Sequence, residues 1–130
     1  MFENQSTKVP VVWTIGASDP SSGSGVQADL LTFKDYSVHG CTVITALNAQ
    51  NSFALGNSSP APRENFTAQL SALEFDMPAA SIKLGMMPNL EVTEAVFDYL
   101  QDYKGFVVYD LELDNCGTAF LAEAKDAVLS

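Results

Sequence analysis

Four short apolar runs alternate with stretches of helical periodicity along this chain. The first, Val11-Val12-Trp13-Thr14-Ile15, follows Pro10 and has no polar alternation, as expected of a strand covered on both faces of a parallel sheet. From there Val26, Leu30, Leu31 and Phe33 fall at helical spacing and Gly40 is a candidate C-cap, which predicts a first helix. Residues 41–47 are rich in β-branched side chains and read as a second strand. Residues 52–62 hold Gly56, Asn57, three serines and two prolines without helical period, and predict a loop or a short irregular strand. Phe66, Leu70 and Leu73 mark a helix over 63–75, and residues 81–84 a third strand. Asn89 is an N-cap for a third helix whose stripe is Val92, Ala95, Val96, Tyr99 and Leu100. Residues 106–109 read as a fourth strand, and a last helical pattern covers 119–129.

This order is a βα unit repeated four times. It predicts an α/β fold, one parallel sheet with helices on both faces, and no hairpin signal in the main run competes with it. Residues 1–9 read as a flexible tail and 10–130 as a single domain.

Residues 16–29, GASDPSSGSGVQAD, join the first strand to the first helix. Glycines at 16, 23 and 25 permit close backbone approach, while Ser18, Asp19, Ser21, Ser22 and Ser24 supply side chains that bond locally to main chain. A helix N-terminus then presents free N–H groups to whatever the turn encloses. An ordinary polar loop is the plain alternative, and neither a dinucleotide fingerprint nor a Walker lysine is spelled out. Asp29 near the start of the helix has the plain role of supporting the helix dipole. His39 beside Gly40 reads as a helix C-terminal cation or polar surface group rather than a general base. After the second strand come Asn48, Gln50 and Asn51, three carboxamides at the carboxyl end of a parallel strand, where open α/β sheets bind ligands. Each offers a donor and an acceptor together, which suits the edge of an aminated heterocycle. The alternative is a turn with Asn in the left-handed region.

The net charge of −10 repels phosphate backbones and excludes nucleic acid and anionic membranes as expected partners. No run approaches a membrane span, and the first ten residues carry no signal-peptide pattern, so a cytoplasmic location is the default. Cys41 and Cys116 stand far apart in no metal-like spacing and read as structural thiols. Glu112 and Asp114 read as a solvated acidic loop rather than magnesium ligands.

Three motifs together carry more than a fold. Thr14 through Leu30, then Val43-Ile44-Thr45-Ala46-Leu47-Asn48-Ala49-Gln50-Asn51, then Lys83-Leu84-Gly85-Met86 closely resemble the hydroxymethylpyrimidine and phosphomethylpyrimidine kinases of thiamine biosynthesis, in that family's order and spacing. The resemblance covers residues 11–110 and implies a ribokinase-like fold, here in part. It further implies transfer of the ATP γ-phosphoryl to the hydroxymethyl of 4-amino-5-hydroxymethyl-2-methylpyrimidine and then to its monophosphate. On the same resemblance Gln50 matches the pyrimidine-binding glutamine, Asp29 a pocket aspartate that accepts a hydrogen bond, and Met86 an apolar wall. The main chain near Ala17 and Asn48 completes the pocket edge.

The chain departs from the family in places. Family members are longer, and the glycine-rich anion hole, its cysteine and the residues for ATP and Mg2+ fall in a portion these residues do not match; Cys116 is not that cysteine. The usual Ala-Gly is inverted as Gly16-Ala17, and Ser22 stands for the second glycine of a usual pair. The expectation is a chain carrying the pyrimidine-binding half. The alternatives are a non-catalytic precursor-binding or assembly module, associating with a partner or a second copy through an open sheet edge, and a pyridoxal-type vitamin kinase fragment.

Overall fold

The structure is a computed structural model and describes residues 8–111; the expected tail up to residue 7, the 112–118 loop and the helix over 119–129 lie outside the described residues. The elements run β1 (Val11–Ser18), α1 (Gly25–Asp35), β2 (His39–Gln50), β3 (Leu55–Pro60), α2 (Arg63–Asp76), β4 (Ser81–Leu84), α3 (Leu90–Leu100) and β5 (Phe106–Tyr109). They form one sheet in the order β3-β2-β1-β4-β5. β1 pairs parallel with both β2 and β4, and β4 with β5, so the chain winds outward from β1 in both directions.

Alternation along β1 divides the molecule. Trp13 and Ile15 are fully buried and join Val43, Ile82 and Leu84 in a core with Phe66 and Leu70 of α2 and Val92, Ala95 and Val96 of α3. Trp13 Nε1 donates to the Met77 carbonyl at 2.8 Å, which satisfies the one polar atom of a ring otherwise surrounded by apolar groups. Thr14 and Gly16 point to the other face, where α1 lies. There Gly40 is needed for packing: a Cβ would sit 2.7 Å from both Leu30 Cδ2 and Phe33 Cδ2. Gly40 is therefore a contact point within β2 and not a helix cap, since α1 ends at Asp35 with Lys34 in its last turn. His39 likewise opens β2, its N–H donating to the Pro10 carbonyl at 2.9 Å, instead of closing a helix.

The α/β class with helices on both faces is observed, and the sheet is mixed. Residues expected as a loop or short irregular strand form β3, antiparallel to β2 from Ala46↔Pro60 to Gln50↔Leu55. The hairpin went unforeseen because its turn carries no Asn-Gly or Asp-Gly pair. Asn51 builds it instead, its Oδ1 accepting from the N–H groups of Phe53 and Ala54 at 2.8 and 3.0 Å. Asn48 and Gln50 are thus strand residues and not turn residues. Among the described residues the only non-glycine positive φ values belong to Ser22 and Ser37, so no asparagine is left-handed. At the other margin β5 is an edge strand with Phe106, Val107 and Val108 exposed. No helix among the described residues is long and apolar enough to cross a membrane.

Candidate functional site

Because β1 feeds α1 toward β2 on one side and pairs with β4 on the other, a crevice opens beyond the carboxyl ends of these strands. This is the place where α/β sheets bind ligands. A small, partly open pocket lies there. Gly16, Ala17, Ser24 and Gly25 form one wall; Asp29 and Lys83, Asn48 and Gln50, and Gly85 and Met86 form the rest. All five residues selected from the sequence, Ala17, Asp29, Asn48, Gln50 and Met86, line this single pocket. A larger hollow between α2 and α3, floored by Leu70 and Ala95, brings none of them together.

The turn from β1 to α1 is organised by Asp19. Its carboxylate is buried, 1 % exposed, and accepts four hydrogen bonds: Oδ1 from Ser21 N and Oγ at 2.8 and 2.7 Å, Oδ2 from Ser24 N and Oγ at 2.9 and 2.8 Å. Burial alone pushes this carboxyl up, but the side-chain and backbone hydrogen bonds from Ser21 and Ser24 together outweigh it and hold the group below its ordinary value. Gln27 fastens the same turn to its own helix, accepting from Asp19 N at 2.8 Å and donating to Ser18 Oγ at 2.7 Å. Gly25 has φ +65°, and a Cβ there would lie 2.5 Å from the Ala17 carbonyl oxygen, so this position tolerates no side chain. Ser22 adopts φ 64° with a side chain in place.

Asp29 lies beyond the first turn of α1, and its partners are side chains rather than the helix dipole. Thr14 Oγ1 donates to Oδ2 at 2.6 Å, and Lys83 Nζ reaches Oδ2 at 2.9 Å and Oδ1 at 3.1 Å. Lys83 also stands 4.0 Å from Asp110 Oδ2. The stretch Lys83-Leu84-Gly85-Met86 does not by itself give Lys83 a role. The available signal was a lysine inside a four-residue strand otherwise suited to the core, a place that demands a charged partner.

On the opposite wall Asn48 Oδ1 accepts from Ser58 Oγ of β3 at 2.7 Å, and its Nδ2 lies 3.6 Å from Met86 Sδ. Thr45 Oγ1, fully buried, donates to the Met86 carbonyl at 2.7 Å and fixes the main chain that carries this apolar wall. Gln50 Nε2 donates to Ser24 Oγ at 3.2 Å, linking the end of β2 to the β1–α1 turn. The result is a small cleft with apolar surfaces from Ala17 and Met86 and aimed polar groups from Asn48, Gln50 and Asp29. Such a lining suits a flat, polar-edged ring. Among the described residues no three His, Cys, Asp or Glu side chains converge as a metal site, and Lys83, the pocket's lysine, is engaged by Asp29.

Comparison with known proteins bears on the family and the fold. The family model for phosphomethylpyrimidine kinase matches residues 19–125. A hydroxymethylpyrimidine/phosphomethylpyrimidine kinase of Haemophilus influenzae is 43% identical over 96 residues, 74% of this chain and 36% of its own. The chain therefore spans well under half the length of that relative. The crystal structure of a phosphomethylpyrimidine kinase from Clostridium difficile superposes with a TM-score of 0.80 at 29% identity, covering 92% of this chain and 53% of the other. A pyridoxal kinase from Staphylococcus aureus, in complex with AMP-PCP and pyridoxal, gives 0.75 at 28% identity over 93% of this chain and 44% of its own. The mixed sheet, the strand-end crevice and the matched sequence lead to one conclusion: the chain belongs to the phosphomethylpyrimidine kinase family.

Proposed function

We propose that this chain carries the pyrimidine-binding half-site of an ATP-dependent kinase acting on 4-amino-5-hydroxymethyl-2-methylpyrimidine and its monophosphate. The observation that carries the reading is the convergence of the Asn48 and Gln50 carboxamides and the Asp29 carboxylate on one pocket backed by Met86. In this reading the Gln50 amide pairs with a ring nitrogen and the exocyclic amine, while Ala17 and Met86 cover the ring faces. Asp29 meets the hydroxymethyl group. Its Oδ2 already accepts from Thr14 and Lys83 and its Oδ1 from Lys83 alone. A carboxylate has about four acceptor positions, so Oδ1 keeps one for a substrate hydroxyl. Lys83 holds that carboxylate in place by two charge-assisted contacts.

ATP supplies the phosphoryl group in such a reaction, with Mg2+ as the expected metal. The described residues offer no metal cluster and no uncommitted pocket lysine for its phosphates, so no step is assigned to them there. Support for the kinase reading comes from the family of the chain; support for the ring comes from the carboxamides. A pyridoxal-type preference is the second reading, favoured by the superposition on a pyridoxal kinase. Calorimetry with the aminopyrimidine and with pyridoxal tests the two against each other. Tighter binding of the aminopyrimidine, lost in Gln50→Leu, is the expected result; unchanged affinity in that variant overturns the proposed pocket. Conversion of the aminopyrimidine to its phosphate in the presence of ATP and Mg2+ tests turnover, and binding without product favours a precursor-binding module.

A further inference from the structure

We propose that Asp19 is a positioning residue for ring selectivity: through Ser24 it fixes which way round the Gln50 amide faces. The inference rests on the reading of Gln50 as the ring-binding group. A serine hydroxyl has one hydrogen and two lone pairs. Ser24 gives its hydrogen to Asp19 Oδ2 at 2.8 Å, and Asp19 cannot return one, because its two oxygens already receive four donors from Ser21 and Ser24. Ser24 Oγ is left as an acceptor toward the pocket. Across from it stands the end of the Gln50 side chain, whose nitrogen and oxygen have nearly the same shape and opposite hydrogen-bonding sense. An acceptor at Ser24 selects the nitrogen, which lies 3.2 Å away. The remaining Nε2–H and the Oε1 then occupy fixed places on the pocket wall, in the order that matches a ring nitrogen beside an exocyclic amine. Rotating the amide by half a turn would present the reverse order, which matches a ring N–H beside an exocyclic oxygen. A buried carboxylate that touches no ligand thereby decides between a 4-amino and a 4-oxo ring.

Two arms test this on the whole 130-residue chain. Without ligand, the side-chain amide protons of Gln50 are followed by NMR in the wild type, Asp19→Asn, Ser24→Ala and Ser24→Thr. One Gln50 amide proton is expected to be downfield and slow to exchange in the wild type and Ser24→Thr, and to lose both properties in Ser24→Ala and Asp19→Asn. Identical Gln50 amide signals in all four proteins would overturn the relay whatever the ligand is. With ligand, calorimetry compares 4-amino-5-hydroxymethyl-2-methylpyrimidine with its 4-oxo analogue. The wild-type preference for the amino ring is expected to fall at least about tenfold in Ser24→Ala and Asp19→Asn and to return in Ser24→Thr. Loss of affinity for both rings in equal proportion would mean a merely structural role and would also overturn the proposal. If the wild type binds neither ring while the amide signals behave as stated, the pyrimidine reading fails and the relay stands. If Asp19→Asn does not fold, the Ser24 pair still decides.

Discussion

Lys83 Nζ lies 2.9 Å from Asp29 Oδ2, and this pair ties β4 to α1 across the mouth of the pocket. Both side chains are about one-fifth exposed, so the attraction is neither quenched by bulk water nor burdened with full desolvation. Lys83→Met is expected to cost about 1.5–3 kcal/mol in urea unfolding, in the range of a hydrogen bond to a charged group. Adding Asp29→Leu should cost less than the sum of the two single changes, and a double-mutant cycle measures the shortfall. Strict additivity would mean that the pair contributes nothing.

Position 22 bears a mark on the backbone. Ser22 is held at φ 64°, where a side chain crowds the main chain. Relief of that crowding is worth about 1–2 kcal/mol and the greater freedom of an unfolded glycine takes back about 0.5–1, so Ser22→Gly is expected to stabilise the protein by about 0.5–1 kcal/mol. Gly25→Ala acts in the opposite sense, because its Cβ would meet the Ala17 carbonyl at 2.5 Å. We expect a loss of more than about 2 kcal/mol and a distorted pocket, since Ala17 and Gly25 both line it. Thermal melts of the two variants should move in opposite directions.

Acid should loosen the β1–α1 turn through Asp19. Its carboxyl is held below the ordinary value in the folded protein, so its contribution is complete above the unfolded carboxylate range and disappears as pH falls through the folded value. Urea midpoints measured from pH 7 downward should fall more steeply for the wild type than for Asp19→Asn, whose side chain does not titrate. Parallel curves would remove Asp19 from the acid limb.

Burial, with the nearby Asp76 charge, pushes the Cys41 thiol up. The thiol form persists where an unfolded cysteine is already ionising, so Cys41 favours folding less as pH rises above the unfolded value. In a Cys116→Ser background, native protein at pH 8 should react with a thiol reagent far more slowly than urea-unfolded protein. Equal rates would contradict the burial.

Trp13 is the chain's one tryptophan, fully buried and stacked on Tyr99 with ring centroids 5.9 Å apart. Its emission should be blue-shifted in the native state and move to the red on unfolding. Trp13→Phe leaves the Met77 carbonyl without its donor and opens space in the core. Together these predict a loss of about 2–4 kcal/mol by denaturant titration.

What the sequence disclosed and what it withheld divide along the range of the interactions. The β1 run, the helical stripes of α2 and α3 and the Asn89 cap are local, and Asn89 Oδ1 does accept from Val92 N at 2.9 Å. The five pocket residues were found through motif resemblance, and the geometry brings them together. Lys83 was passed over because its meaning depends on Asp29, 54 positions away. Gly40 was misread as a cap because nothing local says that Leu30 and Phe33 will press on it. β3 was only half seen, since its hairpin is built by an asparagine side chain and its pairing by Asn48 and Ser58.

The pocket wall that carries Asn48 is thus seated on a hydrogen-bonded ladder, with Ser58 of the antiparallel neighbour steadying Asn48. Lengthening or shortening the bend at 51–54 by one residue would send Ser58 to the far side of its strand and leave Asn48 unsupported. Exchanging side chains at 24, 48, 50 and 58 leaves the register of that ladder intact, whereas an insertion or deletion in the bend does not.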